Sequence, residues 1–394
     1  MRTFFVTALL LSAKLLAAQN VFTDGLVYHI PEMNKVDIRQ NIVYKTVGDT
    51  ALHFDIYYPQ HFDHGKPLPL VIFNNGVGSL DVPRWGIYKD WAKLIAANGM
   101  IAVNHQARNA TALQDDEALT DYLVAHSAEL GIDRNKIALW TCSANARAGT
   151  RMAIKTRPEV FRVLVIYYGI IDSLGEMRQD LPTLVVRAGL DMIFINNGID
   201  YFVRASLAQD ARVELINFLN GMHAFDVFTK TDESKDIVKR TVIFLKENLN
   251  KPSSGKNFTL TNKNFLWMME NGQSQKALDE FHKAQVMYRS DSTYNPFYNA
   301  VLREQALNVI AYTLLQEHKN PEALKTFELV LKTYPESPNA YDGMGDYYEA
   351  IGNKQEALRY SKMAIEKLGQ AKDIDPQFAN GIRQSAEDKI KRLQ

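Results

Sequence analysis

Six short apolar runs, near residues 68–73, 99–104, 136–142, 160–168, 182–188 and 212–218, alternate with segments of helical character. Runs of this length suit buried strands, and a strand–helix–strand rhythm calls for a doubly wound, mostly parallel sheet, because parallel neighbours need a long crossover between them. Ahead of them, residues 41–58 alternate apolar and polar, with Leu52, Phe54, Ile56 and Tyr58 on one face, which predicts an antiparallel entry pair. One crossover, Pro83 to Asn98, carries Trp85, Tyr88, Trp91, Leu94 and Ile95 at helical spacing, the stripe of a helix packed on a core. The run from Lys239 to Leu249 predicts the last helix of this α/β part.

In an open sheet of this kind the carboxyl ends of the parallel strands share one crevice. Three runs end there in residues with chemical capability. The first passes through Trp140-Thr141-Cys142 into Ser143 and then the small residues Ala144-Asn145-Ala146. The second leaves through Gly189-Leu190 into Asp191, and the third through Gly221-Met222 into His223. Serine, acid and histidine in that chain order, with the serine on a strand-to-helix turn, fit a nucleophile elbow. A serine hydroxyl is a weak nucleophile until a base takes its proton; His223 can do so, and Asp191 can hold the imidazole in the required tautomer. Two flanking positions depart from the G-x-S-x-G pattern, with Thr141 and Asn145 where glycine is usual. Asparagine tolerates unusual backbone angles and β-branched threonine less so. On the motif alone, a buried strand running into a helix explains the stretch equally well.

An oxyanion formed at the serine would need backbone donors. The amide of Ala144 is one candidate, and the loop Asn74-Asn75-Gly76-Val77-Gly78 offers Gly76 or Val77 as the other, although its glycines also suit a plain tight turn. His105, Tyr168 and Met222 follow or flank strand ends and are candidates for the substrate pocket. Cys142 precedes the elbow apex by one residue, where side-chain alternation turns it away from the crevice, so it reads as a core thiol.

The stretches PLVIFNNGVG, GMIAVNHQARN, ELGIDRNKIALWTCSANA, VLVIYYGIID, PTLVVRAGLDM and NGMHAFDVF carry a resemblance. From about residue 40 to residue 250 the chain resembles the α/β-hydrolase superfamily, in particular its dienelactone hydrolase-like and acetyl-esterase-like branch. The resemblance implies a carboxylic-ester hydrolase that needs no cofactor, with Ser143 as nucleophile, Asp191 as acid and His223 as base. It also implies a small-molecule or acylated carbohydrate ester as substrate. Where the family often has His-Gly in the oxyanion loop, this chain has Asn75-Gly76.

A chain of 394 residues exceeds what one core usually serves, so more than one domain is expected. Its 45 basic and 45 acidic residues cancel, which leaves no basic excess of the kind a nucleic-acid partner requires. Residues 1–18 combine a basic start, an apolar stretch interrupted by Lys14, and Ala17-Ala18, and read as a signal peptide directing a secreted or periplasmic protein. No further run is long and apolar enough to span a bilayer. The single cysteine excludes an internal disulfide. His61, Asp63 and His64 crowd one loop without the helical face geometry of a metal site, so no metal is expected.

The domains read as residues 1–18 signal peptide, 19–250 hydrolase-like, 251–258 linker and 259–394 all-α helical repeats. The repeat evidence is an offset of 34 between Pro321-Glu322-Ala323-Leu324 and Gln355-Glu356-Ala357-Leu358, the tetratricopeptide period. Gly345 and Tyr348 sit at signature positions, while Ser361 replaces a large apolar residue. Lys276-Ala277-Leu278 with Phe281 and Ala284 suggests a third, degenerate unit before an insertion at 288–298. Such repeats offer a concave face for a peptide or protein, or act as a cap with no ligand of their own. Three functional classes follow: an ester hydrolase, a peptidase or amidase using the same triad, and an inactive hydrolase scaffold carrying a protein-binding repeat domain.

Overall fold

The computed structural model describes residues 23–76, 78–251, 259–290, 300–371 and 374–394; the segment 1–18, most of the linker and most of the 288–298 insertion lie outside them. Eight strands, β1 (Asp37–Val47), β2 (Thr50–Tyr58), β3 (Leu68–Asn74), β4 (Ile101–His105), β5 (Ile132–Cys142), β6 (Phe161–Tyr167), β7 (Thr183–Ala188) and β8 (Val213–Phe218), form one sheet in the order β1-β2-β4-β3-β5-β6-β7-β8. β2 runs antiparallel to β1 and β4, and the remaining pairs are parallel. Asn74 pairs with Thr141, Cys142 with Tyr167 and Ala188 with Phe218, so the carboxyl ends of the central strands finish close to level.

Among the described residues, seven α-helices accompany the sheet: α1 (Gly86–Ala97), α2 (Ala112–Ala125), α3 (Ser127–Leu130), α4 (Ala146–Arg151), α5 (Ile193–Ala208), α6 (Phe225–Phe228) and α7 (Asp232–Asn250). Strand alternation sends Val71, Phe73, Trp140 and Cys142 to one face, where Trp91, Leu94 and Ile95 of α1 and Val238 and Leu245 of α7 cover them. Leu70, Ile72, Leu139 and Ile166 point to the other face, under Leu119 of α2 and Ile195, Ile199 and Phe202 of α5. Leu52, Phe54, Ile56 and Tyr58 of the entry strand join this second core. Each such side chain stabilises the fold by about 1.5–3 kcal/mol when fully buried.

The helix expected over Pro83–Asn98 begins later, at Gly86, after a short 3-10 turn at Val82–Arg84. Proline fits the first turn, and the chain re-extends at Trp85 before the α-helix starts. α7 is longer than the sequence suggests. Thr231 caps it by accepting the Ser234 amide, and Asp232 and Glu233 sit in the positive first turn, so it starts before its apolar stripe does.

A buried carboxylate ties α2 to its surroundings. Asp115 accepts from Lys45 Nζ at 2.6 Å and from Arg108 Nε and Nη2, both at 2.8 Å, with its own side chain fully buried. Burial alone would raise its pKa, but the hydrogen bonds from Arg108 and Lys45 outweigh that and hold the carboxyl well below the usual range.

Two compact units divide the chain, one made of residues up to Lys256 apart from Ala208–Asp210, the other of Asn257–Gln394 with those three residues. The second unit is all helical: α8 (Asn262–Glu270), α9 (Ser274–Ser290), α10 (Glu304–Gln316), α11 (Asn320–Thr333), α12 (Pro338–Ala350), α13 (Lys354–Gln370) and α14 (Pro376–Leu393). α10 and α12 start 34 residues apart, as do α11 and α13, so the periodicity of the sequence is a periodicity of helical hairpins. Small residues mark the close approaches: a Cβ on Gly345 would lie 3.0 Å from Ser361 Oγ, which explains why position 361 holds serine in place of a bulky residue. Ala277 and Phe281 of α9 are fully buried in the same core as Ala311, Ala323 and Phe327.

Candidate active site

β5 ends in an extended residue, Cys142, and the chain then reverses through Ser143, whose φ of 51° places a non-glycine residue in the left-handed region. That conformation is strained for a residue with a Cβ and persists only where the surroundings impose it. A 3-10 turn, Ser143–Asn145, leads into α4 and then a π-helical turn, Met152–Thr156. The Ser143 carbonyl accepts the Ile170 amide at 2.8 Å, fixing the apex against the segment after β6.

His223 reaches Ser143 from the loop after β8. Its Nε2 lies 2.9 Å from Ser143 Oγ, and its Nδ1 lies 2.7 Å from Asp191 Oδ2. The Asp191 side chain is buried, its other oxygen takes the Met192 amide at 2.7 Å, and the imidazole keeps about a third of its surface open to solvent. A buried carboxylate bonded to Nδ1 fixes the tautomer with the lone pair on Nε2 facing the hydroxyl. The loops carrying Asp191 and His223 are bound to each other by Leu190 N–H to Gly221 O at 2.9 Å. Gly189 permits this contact, since a Cβ there would lie 2.2 Å from the Leu219 carbonyl oxygen.

The two non-glycine elbow positions have different explanations. Asn145 adopts ordinary helical angles and needs no conformational tolerance; its amide Nδ2 donates to the Asn75 carbonyl, and its own carbonyl accepts Asn74 Nδ2 at 3.2 Å. It therefore ties the elbow to the loop after β3. Thr141 is accommodated because the glycine has moved across the interface: a Cβ on Gly149 of α4 would lie 2.6 Å from Thr141 Oγ1. Gly149→Ala is accordingly expected to destabilise the protein by about 1–3 kcal/mol, the usual cost of overpacking. Thr141→Gly in the same chain should recover part of it, and a urea double-mutant cycle that is additive within about 0.5 kcal/mol would exclude this coupling.

Ala144 lies in the first turn after the apex, where an amide has no intrahelical acceptor and points out of the helix end. Gly76, its expected companion, does not offer its amide to the crevice, for that N–H donates to the Tyr88 hydroxyl at 2.9 Å. The close approach needs glycine, since a Cβ at Gly76 would sit 2.7 Å from that hydroxyl. Val77 lies outside the described residues.

Of the expected pocket residues, Met222 is exposed beside His223, but the other two are turned inward. His105 is buried, with Nε2 2.7 Å from Asp116 Oδ1, and burial pushes the Asp116 carboxyl up. Tyr168 has its ring 4.8 Å from the His223 ring while its hydroxyl donates to Asp226 Oδ1 at 2.8 Å. Asp226, which the sequence reading missed, is fully buried and also accepts Trp91 Nε1 at 2.8 Å; burial raises its pKa more than these donors lower it. Its only signal in the sequence is an acid inside the apolar run Phe225-Asp226-Val227-Phe228. Cys142 lies with Trp140 in the core, 3.5 Å from the Tyr88 hydroxyl, and burial pushes its thiol up, away from the reactive thiolate.

No family model matches the sequence, and no curated protein matches it. Solved structures do. The chain is similar to a bacterial heroin esterase at 16% identity, over 56% of this chain and 86% of that one, with a TM-score of 0.45. It is likewise similar to a Pyrobaculum calidifontis esterase (14% identity, 55% and 88% coverage, TM-score 0.45) and to Thermogutta terrifontis esterase 2 (18% identity, 56% and 98% coverage, TM-score 0.45). By its own sheet order and its strand–turn–helix at Ser143, the chain has an α/β-hydrolase core followed by a helical region.

Proposed function

We propose that this protein is a serine hydrolase that cleaves a carboxylic ester of a small molecule or acylated carbohydrate. The observation that carries the reading is the unbroken chain Ser143 Oγ–His223 Nε2 and His223 Nδ1–Asp191 Oδ2, at 2.9 and 2.7 Å, with the serine on a strained apex. His223 takes the hydroxyl proton as Oγ attacks the acyl carbon, and Asp191 stabilises the imidazolium that results. The oxyanion receives the Ala144 amide. His223 then protonates the departing alkoxide. A water activated by the same imidazole releases the acid and restores Ser143.

The leader-like segment 1–18 supports export of the protein, and the 34-residue spacing of the helical hairpins supports tetratricopeptide-like repeats whose concave face takes a peptide or protein. The test of the catalytic reading is a fluorophosphonate probe, which forms a bond only with an activated hydroxyl. Mass spectrometry of the full chain should place the adduct on Ser143, Ser143→Ala should abolish it, and Cys142→Ala should keep both the adduct and hydrolysis of short p-nitrophenyl esters. A folded protein that neither labels nor hydrolyses would instead be a scaffold, and loss in Cys142→Ala would move the nucleophile to the thiol.

A further inference from the structure

A groove of about 570 Å³, within the range of small-ligand sites, has Ala144, the residue after Ser143, in its lining. One wall is the helix that follows the nucleophile, and along it stand Arg147, Arg151 and Lys155. Their spacing of four residues puts them on one face. Four α-helical residues over-rotate by about 40°, so a row at this spacing drifts around the axis. The wider π-turn from Met152 to Thr156 turns less per residue and brings Lys155 back toward the line of Arg147.

Like charges four apart on a helix repel, at a cost of a few tenths of a kcal/mol per pair, so the row is unfavourable unless something negative faces it. Within the groove the protein supplies one such group: Asp172, whose carboxylate takes Arg147 Nε at 2.9 Å. The lining also includes the neutral groups Asn109, Leu113 and Gln114, while Asp115, next in the chain, is bonded to Lys45 and Arg108. Arg151 and Lys155 make no ion pair among the described residues. Two cations without an ion pair thus line a groove that also includes Ala144, the residue next to Ser143.

We propose that this groove selects an anionic substrate, an ester whose acyl or alcohol part carries a carboxylate, sulfate or phosphate held by Arg151 and Lys155 while the reacting carbonyl sits at Ala144. The proposal rests on the hydrolase reading above. Two matched ester pairs test it, one for each side of the scissile bond: p-nitrophenyl hydrogen succinate against its methyl ester, and p-acetoxybenzoate against methyl p-acetoxybenzoate. The full chain at low ionic strength is expected to favour the charged member of at least one pair by about tenfold in kcat/KM, the effect of two solvent-exposed ionic contacts. That ratio should fall toward one in Arg151→Gln/Lys155→Gln and in high salt. Both side chains are exposed, so a thermal melt should show the variant folded. Equal rates within both pairs, or a preference that survives in the variant, would overturn the anion site while leaving the esterase intact. Absence of any hydrolysis together with absence of Ser143 labelling would sink the hydrolase reading and this proposal with it.

Discussion

Replacing Asp191 by asparagine is expected to lower kcat for a p-nitrophenyl ester about 10⁴-fold while leaving the protein folded. The carboxylate accepts two hydrogen bonds, from His223 Nδ1 at 2.7 Å and from the Met192 amide at 2.7 Å. Asparagine can keep one of these with its carbonyl oxygen but presents N–H groups to the other. Where it donates to Nδ1, the imidazole must carry its proton on Nε2, and a protonated Nε2 cannot take the Ser143 hydrogen. The loss should fall on kcat with KM little changed, because the acid touches the base and not the substrate. Ser143→Ala should lose at least as much, and the double variant should lose no more than Ser143→Ala alone, since residues acting as a unit are not additive. Multiplying losses would mean that the three side chains do not act as one device, and a decrease under about tenfold in Asp191→Asn would remove Asp191 from the triad.

The second large effect concerns stability. Asp115→Ala should destabilise the sheet unit by about 3 kcal/mol, because it leaves Lys45 and Arg108, both partly buried, without their shared counter-charge. The pH dependence has a definite sign. The folded carboxyl is held below its ordinary value of about 3.9, so the folded state releases this proton more readily than the unfolded chain. Its contribution is therefore fully present above about pH 4 and is lost as pH falls through the lowered folded value. Urea unfolding followed by tryptophan fluorescence in a Trp267→Phe background reports this unit, which carries Trp85, Trp91 and Trp140, whereas Trp267 belongs to the helical unit. The gap between wild type and variant should be widest near neutrality and close in acid. A loss under about 0.5 kcal/mol at neutral pH, the range of ordinary surface changes, would show that water already compensates both cations.

Much of the sheet was legible because its signal is local. Continuous apolar runs of strand length predicted β3 to β8 to within a few residues, and the alternation around Leu52, Phe54, Ile56 and Tyr58 put those four side chains in one core, but it did not reveal that Asp55 and Tyr57 between them are buried as well, Tyr57 in the core on the other face. Helix starts were less legible, since capping by Thr231 and the re-extension at Trp85 depend on backbone angles that the apolar period does not encode. The meeting of Ser143, His223 and Asp191 in one hydrogen-bonded series was legible because the connection order and the rule that strand ends share a crevice constrain where the three residues lie.

The details that only tertiary structure decided are those set by contacts between distant segments. Sequence could mark Thr141 as an uncomfortable residue but not find its compensation at Gly149, eight residues on and across a strand–helix interface. It offered Gly76 as an oxyanion donor, but a tyrosine from α1 takes that amide. His105 and Tyr168 lie at strand ends, as a pocket would require, yet buried acids claim both, Asp116 for the imidazole and Asp226 for the phenol. By itself the sequence determined which stretches form strands and the chain order of Ser143, Asp191 and His223, because periodicity and connection rules act along the chain. The direction of each polar group at the site was decided by its nearest partner in space, since a buried donor or acceptor left without a hydrogen bond costs about 1–3 kcal/mol and that partner is not readable from its own stretch of sequence.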